Sequence, residues 1–239
     1  YVAVNWASHI DLATGRPVET PGARYEAKPF LMLPSGVGAH AWAPMSYSPR
    51  TGLVYLPAMQ VPITYSDATP FEPHPGRWNT GISSVKSDLA VNLPPPGKGS
   101  RRAEMSMLQG MLVAWDPVAR KVRWTVARDW PINGGTLVTA GDLVFQGTVH
   151  GDFEAYGAAD GRKLWSFATH RGIMAGPVSY SVNGQQYIAE MAGYGGALGV
   201  SQSTPFEQRR MPNGLVLAFK LGGKAALPAY RPEPLPPAN

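Results

Sequence analysis

The sequence predicts an all-β fold in which short antiparallel strands form four-stranded blades. Only 15% of the 239 residues are charged and 44% are hydrophobic, so a large apolar core can form. The 27 glycines and 24 prolines indicate frequent turns. A segment also recurs at a period of about 40 residues, which is the length of one propeller blade. Together these features favour part of a β-propeller.

The internal repeat is the most informative of these signals. Residues 114–124 and 155–165 lie 41 positions apart, and each runs from alanine and an aromatic residue through a polar turn and a lysine to tryptophan. The closing tryptophans are Trp124 and Trp165. Because blades bury their sheet faces against one another, we expect both indoles to pack between adjacent blades.

The pattern assigns strands to about three blades. They are expected at residues 43–48, 53–58, 110–116 and 121–127 in the first blade, at 135–140, 143–148, 152–157 and 163–168 in the second, and at 174–181, 185–192 and 214–221 in the third. Glycines in the intervening turns would supply the positive φ that tight hairpins need. The third blade lacks a fourth strand, so we expect it to be completed from elsewhere.

The domain organisation follows from these strands. Residues 1–35 are expected to lead in from a preceding blade, 36–222 to hold the three blades, and 223–239 to form a proline-rich tail or linker. Long insertions are expected at 60–109 and 193–213, both on the face that carries the loops entering each first strand. Long loops on a rigid scaffold are common sites of function. Three blades cannot close a ring, so we expect the chain to be part of a larger module.

One short helix is expected in the second insertion. Thr204 is followed by Pro205 and, three positions after the threonine, by Glu207. We interpret this as a capping box with proline at the first helical position, and it predicts one or two helical turns.

The composition argues against several classes of function. The net charge is +5, but the basic residues are scattered and form no stripe with interleaved aromatics, so we do not expect nucleic-acid binding. The chain has no cysteine, which excludes internal disulfides and thiolate chemistry. No apolar run approaches the roughly 18 residues of a membrane-spanning helix. The chain opens on Tyr1 within an apolar, strand-like run, so we expect it to be a truncated or processed piece.

Catalytic and metal-binding motifs are not recognised in the sequence. The five histidines show no metal-ligand spacing, and no serine elbow or glycosidase-like carboxylate pair is found. His40 lies in a glycine-rich loop and is expected to be structural. Trp42 begins a first strand on the loop-rich face, where it would either line a pocket for a planar cofactor or pack in the core. Its position leaves both alternatives open.

The ordered set of motifs resembles the second half of the pyrroloquinoline quinone (PQQ)-dependent alcohol dehydrogenases. The matching runs are residues 4–7, 15–17, 38–47, 75–79, 114–117, 133–137, 144–148, 192–196 and 219–225. Each run is short, but together they cover nearly the whole chain in order. The resemblance is closest to the type II quinohaemoproteins, which carry a C-terminal cytochrome c domain.

This resemblance implies an eight-bladed propeller that holds PQQ and Ca²⁺ and oxidises an alcohol to an aldehyde or ketone in the periplasm. It further implies that the catalytic aspartate and the calcium ligands belong to the missing N-terminal half of the propeller. This chain would then contain no catalytic or metal-binding residue and would be inactive alone. Its partners would be that N-terminal half, the alcohol and a cytochrome c domain with haem c, or another electron acceptor.

Three positions match family residues that contact PQQ. The family has an Asn-Trp pair after Gly-Ala-His; here the tryptophan is Trp42, but Ala41 stands in the asparagine position. Alanine has no side-chain hydrogen-bond donor, so that contact is lost. The third contact maps to Ala192. The family's Trp-Asn-Gly-Gly motif begins with Ile132, so a second aromatic residue is missing as well.

Two alternative functions remain. A protein-binding scaffold built from the same repeat would keep the blade motif without a cofactor, although the Gly-Ala-His-x-Trp run and the insertions argue against it. The other is a close relative that acts on polymeric or bulky amine substrates, which the sequence does not exclude.

Overall fold

The computed structural model describes residues 1–75, 79–82, 108–193 and 214–227, and these contain strands and turns but no helix. In chain order the strands are β1 (Ala7–Asp11), β2 (Arg16–Glu19), β3 (Phe30–Met32), β4 (Ser46–Ser48), β5 (Leu53–Gln60), β6 (Ile63–Tyr65), β7 (Gln109–Asp116), β8 (Lys121–Arg128), β9 (Thr136–Val138), β10 (Leu143–Gly147), β11 (Asp152–Gly157), β12 (Lys163–Ala168), β13 (Val178–Val182), β14 (Gln185–Ala192) and β15 (Leu215–Phe219). The expected helix at Thr204 and most of both insertions lie outside the described residues.

The chain divides into two compact units. One comprises residue 1, residues 40–58 and residues from 110 onward; the other comprises 2–39 and 59–109. The second unit contains the antiparallel β1–β2 hairpin and a two-stranded sheet in which β3 pairs with β6. The start of the first insertion is thus joined to the segment that precedes the blades, which the sequence did not predict.

The first unit contains the three predicted blades. The strand order is β4-β5-β7-β8 in the first blade and β9-β10-β11-β12 in the second, and the third blade has three strands in the order β13-β14-β15. The pairings recorded within these sheets are antiparallel. The all-β fold and the blade architecture are confirmed, and strand ends differ from the predictions by a few residues. The described residues supply three strands to the third blade.

The first and second blades share a hydrophobic core. Its buried members are Leu53, Tyr55, Leu112, Ala114, Val144, Tyr156 and Ala158. Trp124 of the first blade packs against it and donates from Nε1 to the carbonyl oxygen of Ala158, 3.0 Å away. Tyr55 donates its hydroxyl to the same oxygen, also at 3.0 Å. The prediction that Trp124 packs between blades is confirmed.

The second and third blades meet through aromatic side chains. The rings of Phe153 and Phe219 lie 5.2 Å apart between centroids, and Trp165 approaches Phe219 edge-on at 5.5 Å. Phe153 is fully buried, together with Ile173 and Ala192. The predicted interblade role of Trp165 is therefore also confirmed.

The other face of the third blade is apolar and exposed among the described residues. Register places Val178, Tyr180 and Val182 of β13 on the same side of the sheet as Met191 of β14 and Val216 of β15. Val216 is 78% exposed and Met191 is 60% exposed. This agrees with the expectation that the chain is part of a larger module, in which a further blade would cover this face.

One turn departs from the expected use of glycine. In the β9–β10 turn the residue with positive φ is Asp142, at 59°, rather than the preceding glycine. Aspartate tolerates this region because its short polar side chain can hydrogen-bond locally. Gly151 and Gly161 have positive φ as predicted.

Within the described residues, the chain forms no helix with the length and hydropathy needed to cross a membrane.

Candidate functional site

The segments that enter the first strands of the three blades are joined by backbone hydrogen bonds. Thr136 donates its N–H to the carbonyl oxygen of Pro44 at 2.8 Å, and Gly135 donates to that of Ala175 at 2.9 Å. We call Pro44, Gly135, Thr136 and Ala175 the belt. It links the chain at the entrances to β4, β9 and β13, and so holds the loop that carries Ala41 and Trp42 against the first strands of the other two blades.

Close packing in the belt requires glycine. A Cβ atom on Gly135 or on Gly176 would come within 2.4 Å of the Pro44 ring, and one on Gly134 would lie 2.6 Å from the Ala175 carbonyl oxygen. Such distances are far below van der Waals contact, so a side chain would force the loops apart. The Asn-Gly-Gly motif is thereby explained by the approach of three backbones.

Asn133 of the same motif anchors the loop before β9. Its Nδ2 donates to the carbonyl oxygen of Trp130 at 2.8 Å, and its Oδ1 accepts from the Val149 N–H at 3.2 Å. Asn133 is buried, so both bonds replace hydration that burial removes. The side chain ties the loop to the turn between β10 and β11.

Trp42 lies two residues before the belt and is 63% exposed. Such exposure argues against core packing within this chain and leaves a broad indole surface for a ligand. Ala41 beside it is half-buried.

The loop that carries Ala41 and Trp42 is held by His40. The Nδ1 atom of His40 lies 3.0 Å from the carbonyl oxygen of Pro57. Because a carbonyl oxygen only accepts hydrogen bonds, Nδ1 carries the proton. His40 thus has the structural role expected for it.

Ala192 ends β14 and is 1% exposed. Its side chain belongs to the hydrophobic cluster between the second and third blades, with Ile173 and Ile188. The next residue, Gly193, donates its N–H to Gly172 at 2.8 Å. A ligand at Ala192 would therefore meet mainly backbone. The approach of Ala192 to Trp42 near the propeller axis stays a prediction.

A buried ion cluster, which the sequence did not reveal, joins the first two blades. Arg128, the last residue of β8, contacts Glu154 of β11 through Nη1 at 2.5 Å, and both side chains are at most 7% exposed. Arg128 Nη2 also donates to Gln146 Oε1 at 2.6 Å, and Nη1 to the Tyr156 hydroxyl at 2.7 Å. Lys163 reaches the other carboxylate oxygen of Glu154 at 2.8 Å. Every oxygen of Glu154 is paired.

These contacts set the charge states of the cluster. Burial alone would raise the pKa of Glu154, but hydrogen bonds from Lys163 and Tyr156, together with Arg128, hold it below the ordinary value. Burial raises the pKa of Tyr156 above its usual range. The cluster therefore contains an ionised carboxylate, a guanidinium and a neutral phenol, which suits structural pairing rather than proton exchange.

A second buried carboxylate, Glu190, lies between the second and third blades and was also missed. It is 1% exposed, and its Oε2 has no hydrogen-bond partner among the described residues. Burial raises its pKa to about 8. The sequence could have indicated it, because Glu190 is two positions from both Ile188 and Ala192, and residues at this spacing lie on the same face of a strand.

No metal-binding group is evident in the described part of the chain, where no three His, Asp or Glu side chains cluster suitably. Trp42, Ala41 and the Ala192 backbone can offer contact surface, but none can act as an acid, a base or a nucleophile. Among these three residues, Trp42 exposes a flat aromatic surface, and Ala192 is buried.

Comparison with known proteins agrees with the resemblance seen in the motifs. Residues 104–188 match the PQQ glucose/ethanol/alcohol dehydrogenase β-propeller domain. The chain is 43% identical, over 97% of its length, to quinohemoprotein alcohol dehydrogenase ADH IIB of Pseudomonas putida. It is 42% identical, over 96% of its length, to the quinohemoprotein alcohol dehydrogenase of Comamonas testosteroni. Along nearly its whole length, the chain is similar to one region of the PQQ-dependent alcohol dehydrogenases.

Solved structures of this family share the fold. The Comamonas testosteroni enzyme superposes with a TM-score of 0.77 at 40% identity, covering 96% of this chain and 33% of that enzyme. ADHIIG from Pseudomonas putida HK5 gives a TM-score of 0.79 at 38% identity, covering 99% of this chain and 35% of that one. The blades are therefore part of a propeller of the PQQ-dependent alcohol dehydrogenase kind.

The chain is much shorter than these relatives. It spans 32% of the Pseudomonas putida ADH IIB sequence and 31% of the Comamonas testosteroni sequence. It corresponds to about a third of such a PQQ-dependent enzyme, which agrees with the partial propeller predicted from the repeat. None of these matches supports the alternative of a non-catalytic scaffold.

Proposed function

We propose that the protein to which this chain belongs oxidises an alcohol to an aldehyde or ketone, with PQQ as its cofactor. The observation that carries this proposal is 40–43% identity to quinoprotein alcohol dehydrogenases along nearly the whole chain. When bound, PQQ would accept a hydride from the alcohol, while the protein supplies position and electrostatics.

The residues of this chain fit a planar cofactor in one respect and depart from the family in another. The exposed indole of Trp42 offers a flat surface for a conjugated ring system, and the belt holds its loop in place. Ala41 offers no hydrogen bond to a quinone oxygen. We assign binding and orientation to Trp42, Ala41 and Ala192, and no proton transfer to any of them.

The remaining chemistry is assigned to other parts of the protein. By family resemblance, the catalytic aspartate and the Ca²⁺ ligands lie in the rest of the propeller, and a cytochrome c domain with haem c, or another acceptor, takes the electrons. The same resemblance supports a periplasmic location. The chain alone should accordingly be inactive towards alcohols.

The function is tested with the full-length protein, PQQ, Ca²⁺, a series of alcohols and an artificial electron acceptor. Turnover of at least one primary or secondary alcohol that depends on PQQ is the expected result. The isolated chain, measured in parallel, should show none until the rest of the propeller is added. PQQ-independent turnover, or turnover by the chain alone, would contradict the proposal.

The binding role of Trp42 has its own test. Replacing Trp42 with alanine in the full-length protein should weaken PQQ retention up to about tenfold, because an aromatic contact is worth roughly 0.5–1.5 kcal/mol. Tyr47→Ala removes an aromatic residue that is also exposed, at 56%, and serves as the matched control. Equal PQQ release from the two variants would remove Trp42 from the site.

The missing hydrogen bond at Ala41 predicts a change in the opposite direction. Ala41→Asn should strengthen PQQ retention, because a well-placed hydrogen bond contributes roughly 0.5–1.5 kcal/mol, up to about tenfold in affinity. The dissociation rate of PQQ from the full-length protein measures this. An unchanged rate would show that the asparagine position does not reach the cofactor.

A further inference from the structure

Glu190 occupies the middle of a buried strand face. On β14, Ile188 and Ala192 point the same way and are buried, while Met191 between them points to the opposite, exposed face. One carboxyl oxygen, Oε1, accepts from the Met191 N–H at 2.9 Å. The other, Oε2, is buried without a hydrogen-bond partner among the described residues. An ionised carboxylate here would lack most of the hydrogen bonds that it has in water.

Among the described residues, the side chains on the Glu190 side of β14 are uncharged. The apolar ones are Leu137 of β9, Phe145 of β10, Phe153 of β11, Trp165 and Phe167 of β12, Ile173 before β13, and Leu217 and Phe219 of β15, and the polar one is Ser179 of β13. None of these side chains is titratable. No charged group contributes to the shift of the Glu190 pKa, which comes from burial, opposed by the Met191 N–H.

Glu154 is a buried carboxylate of the same fold whose charge is balanced by nearby cations. It is also buried between blades, but Arg128 and Lys163 neutralise it and its pKa is lowered. Glu190 has no cation in a corresponding position within the described residues. A buried carboxyl without a cation avoids the cost of ionisation by keeping its proton.

We propose that Glu190 is a buried proton-binding site, and that loss of its proton weakens the packing of the third blade on the second. At pH 7 the side chain is a neutral acid in an apolar cluster. Once ionised, it places an unpaired negative charge among aromatic rings, and the two blades separate more easily to admit water.

The sign of the pH dependence follows from linkage. The pKa of Glu190 is about 8 when folded, against 4.5 as its ordinary value. Between these two values the folded state binds the proton and the unfolded state does not, so stability falls as the pH rises through this window. Each pH unit should lower the folding equilibrium constant by up to about tenfold. Above about pH 8 both states are ionised and this dependence ends.

The same proton bears on the candidate cofactor site, a step that rests on the proposed function. Ala192 lies two residues along β14 and packs in the same cluster, so a loosened interface would displace the end of the strand. Glu190 would then be a positioning residue for that end, and PQQ binding would weaken as the site loses its proton.

The proton site is tested on the full-length protein without cofactor. Infrared spectra recorded across the titration should show a protonated-carboxyl C=O stretch at neutral pH that disappears with a midpoint near pH 8. Glu190→Gln should lack this band, and Glu26→Gln, at an exposed glutamate, should keep it. Absence of the band in the wild type, or its persistence in Glu190→Gln, would overturn the proposal.

Denaturant unfolding provides a second measurement. The free energy of unfolding of the wild type should fall between about pH 5 and pH 8, and the part of this fall that Glu190 causes should be absent in Glu190→Gln. Glu190→Leu, which fills the site with apolar atoms, covers the case in which the glutamine variant does not fold. Parallel curves for wild type and leucine variant would overturn the proton site.

The link to the cofactor has a separate readout. The PQQ dissociation constant should rise from neutral to alkaline pH in the wild type more than in Glu190→Gln. If the infrared band behaves as expected but this difference is absent, the coupling to Ala192 is wrong and the proton site stands. If no variant binds PQQ at any pH, the proposed function fails instead.

Discussion

The two interfaces between blades bury the same residue type in opposite ways. Between the first and second blades, Glu154 meets Arg128 at 2.5 Å and Lys163 at 2.8 Å. Between the second and third blades, Glu190 has one oxygen without a hydrogen-bond partner in the described parts of the chain, beside an aromatic cluster. Both carboxyl groups are buried, but their pKa values shift in opposite directions, downward for Glu154 and upward for Glu190. Glu154 differs because Lys163 and Tyr156 of its own blade, together with Arg128 of the neighbouring blade, stabilise its charge.

The Arg128 part of that difference arises where the fourth strands of the first and second blades, β8 and β12, end. β8 ends in Arg128, which reaches across to the second blade. Four residues after the closing tryptophan, the second blade has Thr169 where the first has Arg128. The Thr169 hydroxyl lies 2.8 Å from the Gly151 carbonyl oxygen and 2.7 Å from that of Arg171, and so closes a loop instead of pairing with the next blade.

The largest effect is expected from removing the cation of the first interface. Arg128→Met should destabilise the full-length protein by about 3–5 kcal/mol, because it leaves Glu154 buried with only Lys163 as a cationic partner. Urea unfolding at neutral pH measures the change. The matched control is Arg50→Met, which breaks an exposed pair with Asp142 and should cost at most about 1 kcal/mol.

The pH dependence of this defect makes the comparison sharper. In the wild type the pKa of Glu154 is lowered, so its contribution to stability is present above the ordinary value and is lost as the pH falls below it. In Arg128→Met that pKa should rise relative to the wild type, because only the hydrogen bonds from Lys163 and Tyr156 then oppose the effect of burial. The defect should therefore shrink as the pH falls through the acidic range. A defect independent of pH would indicate lost packing rather than lost charge compensation.

The sequence carried enough information for the blades but not for their interfaces. The 41-residue repeat, the glycine turns and the alternation of apolar residues predicted the three sheets and the interblade tryptophans, because these are local or periodic signals. The pairing of β3 with β6 and the Arg128–Glu154 contact join distant segments, and no local pattern marks either partner.

The candidate site was predicted only in part for the same reason. Trp42, Ala41 and Ala192 came from resemblance to a family, and the structure adds the exposure of Trp42 and the burial of Ala192. The close approach of Pro44 to Gly135 and Gly176 explains why the loops contain glycine, yet it depends on neighbouring blades being in place. Glu190 could have been suspected as a charge inside an apolar run, but its missing partner is visible only in three dimensions.

A smaller effect, of opposite sign, is expected at the second interface. Glu190→Leu should stabilise the full-length protein by about 1–3 kcal/mol near pH 8, because it removes a buried polar atom without a partner. The gain should diminish towards pH 5, close to the ordinary pKa of 4.5, where keeping the proton in the folded state costs much less. Differential unfolding at the two pH values measures it. Destabilisation at pH 8 would mean that Glu190 has an unrecognised favourable contact.

The smallest effect is expected from disturbing the packing of Trp124, the tryptophan that closes the first copy of the repeat. Trp124 of the first blade lies against Gly161, where an added Cβ would come within 2.6 Å of the indole; at Gly222, which follows the last strand of the third blade, it would meet nothing within 4 Å. The φ angles are 69° and 74°, so alanine should cost about 1–2 kcal/mol at either position through backbone strain alone. Gly161→Ala should cost about 1 kcal/mol more, since the indole must also move. The difference between the two variants in urea unfolding isolates the contact that Trp124 makes across the first interface. Equal losses would show that Trp124 shifts freely, and that the hydrogen bond to Ala158 does not hold the indole in place.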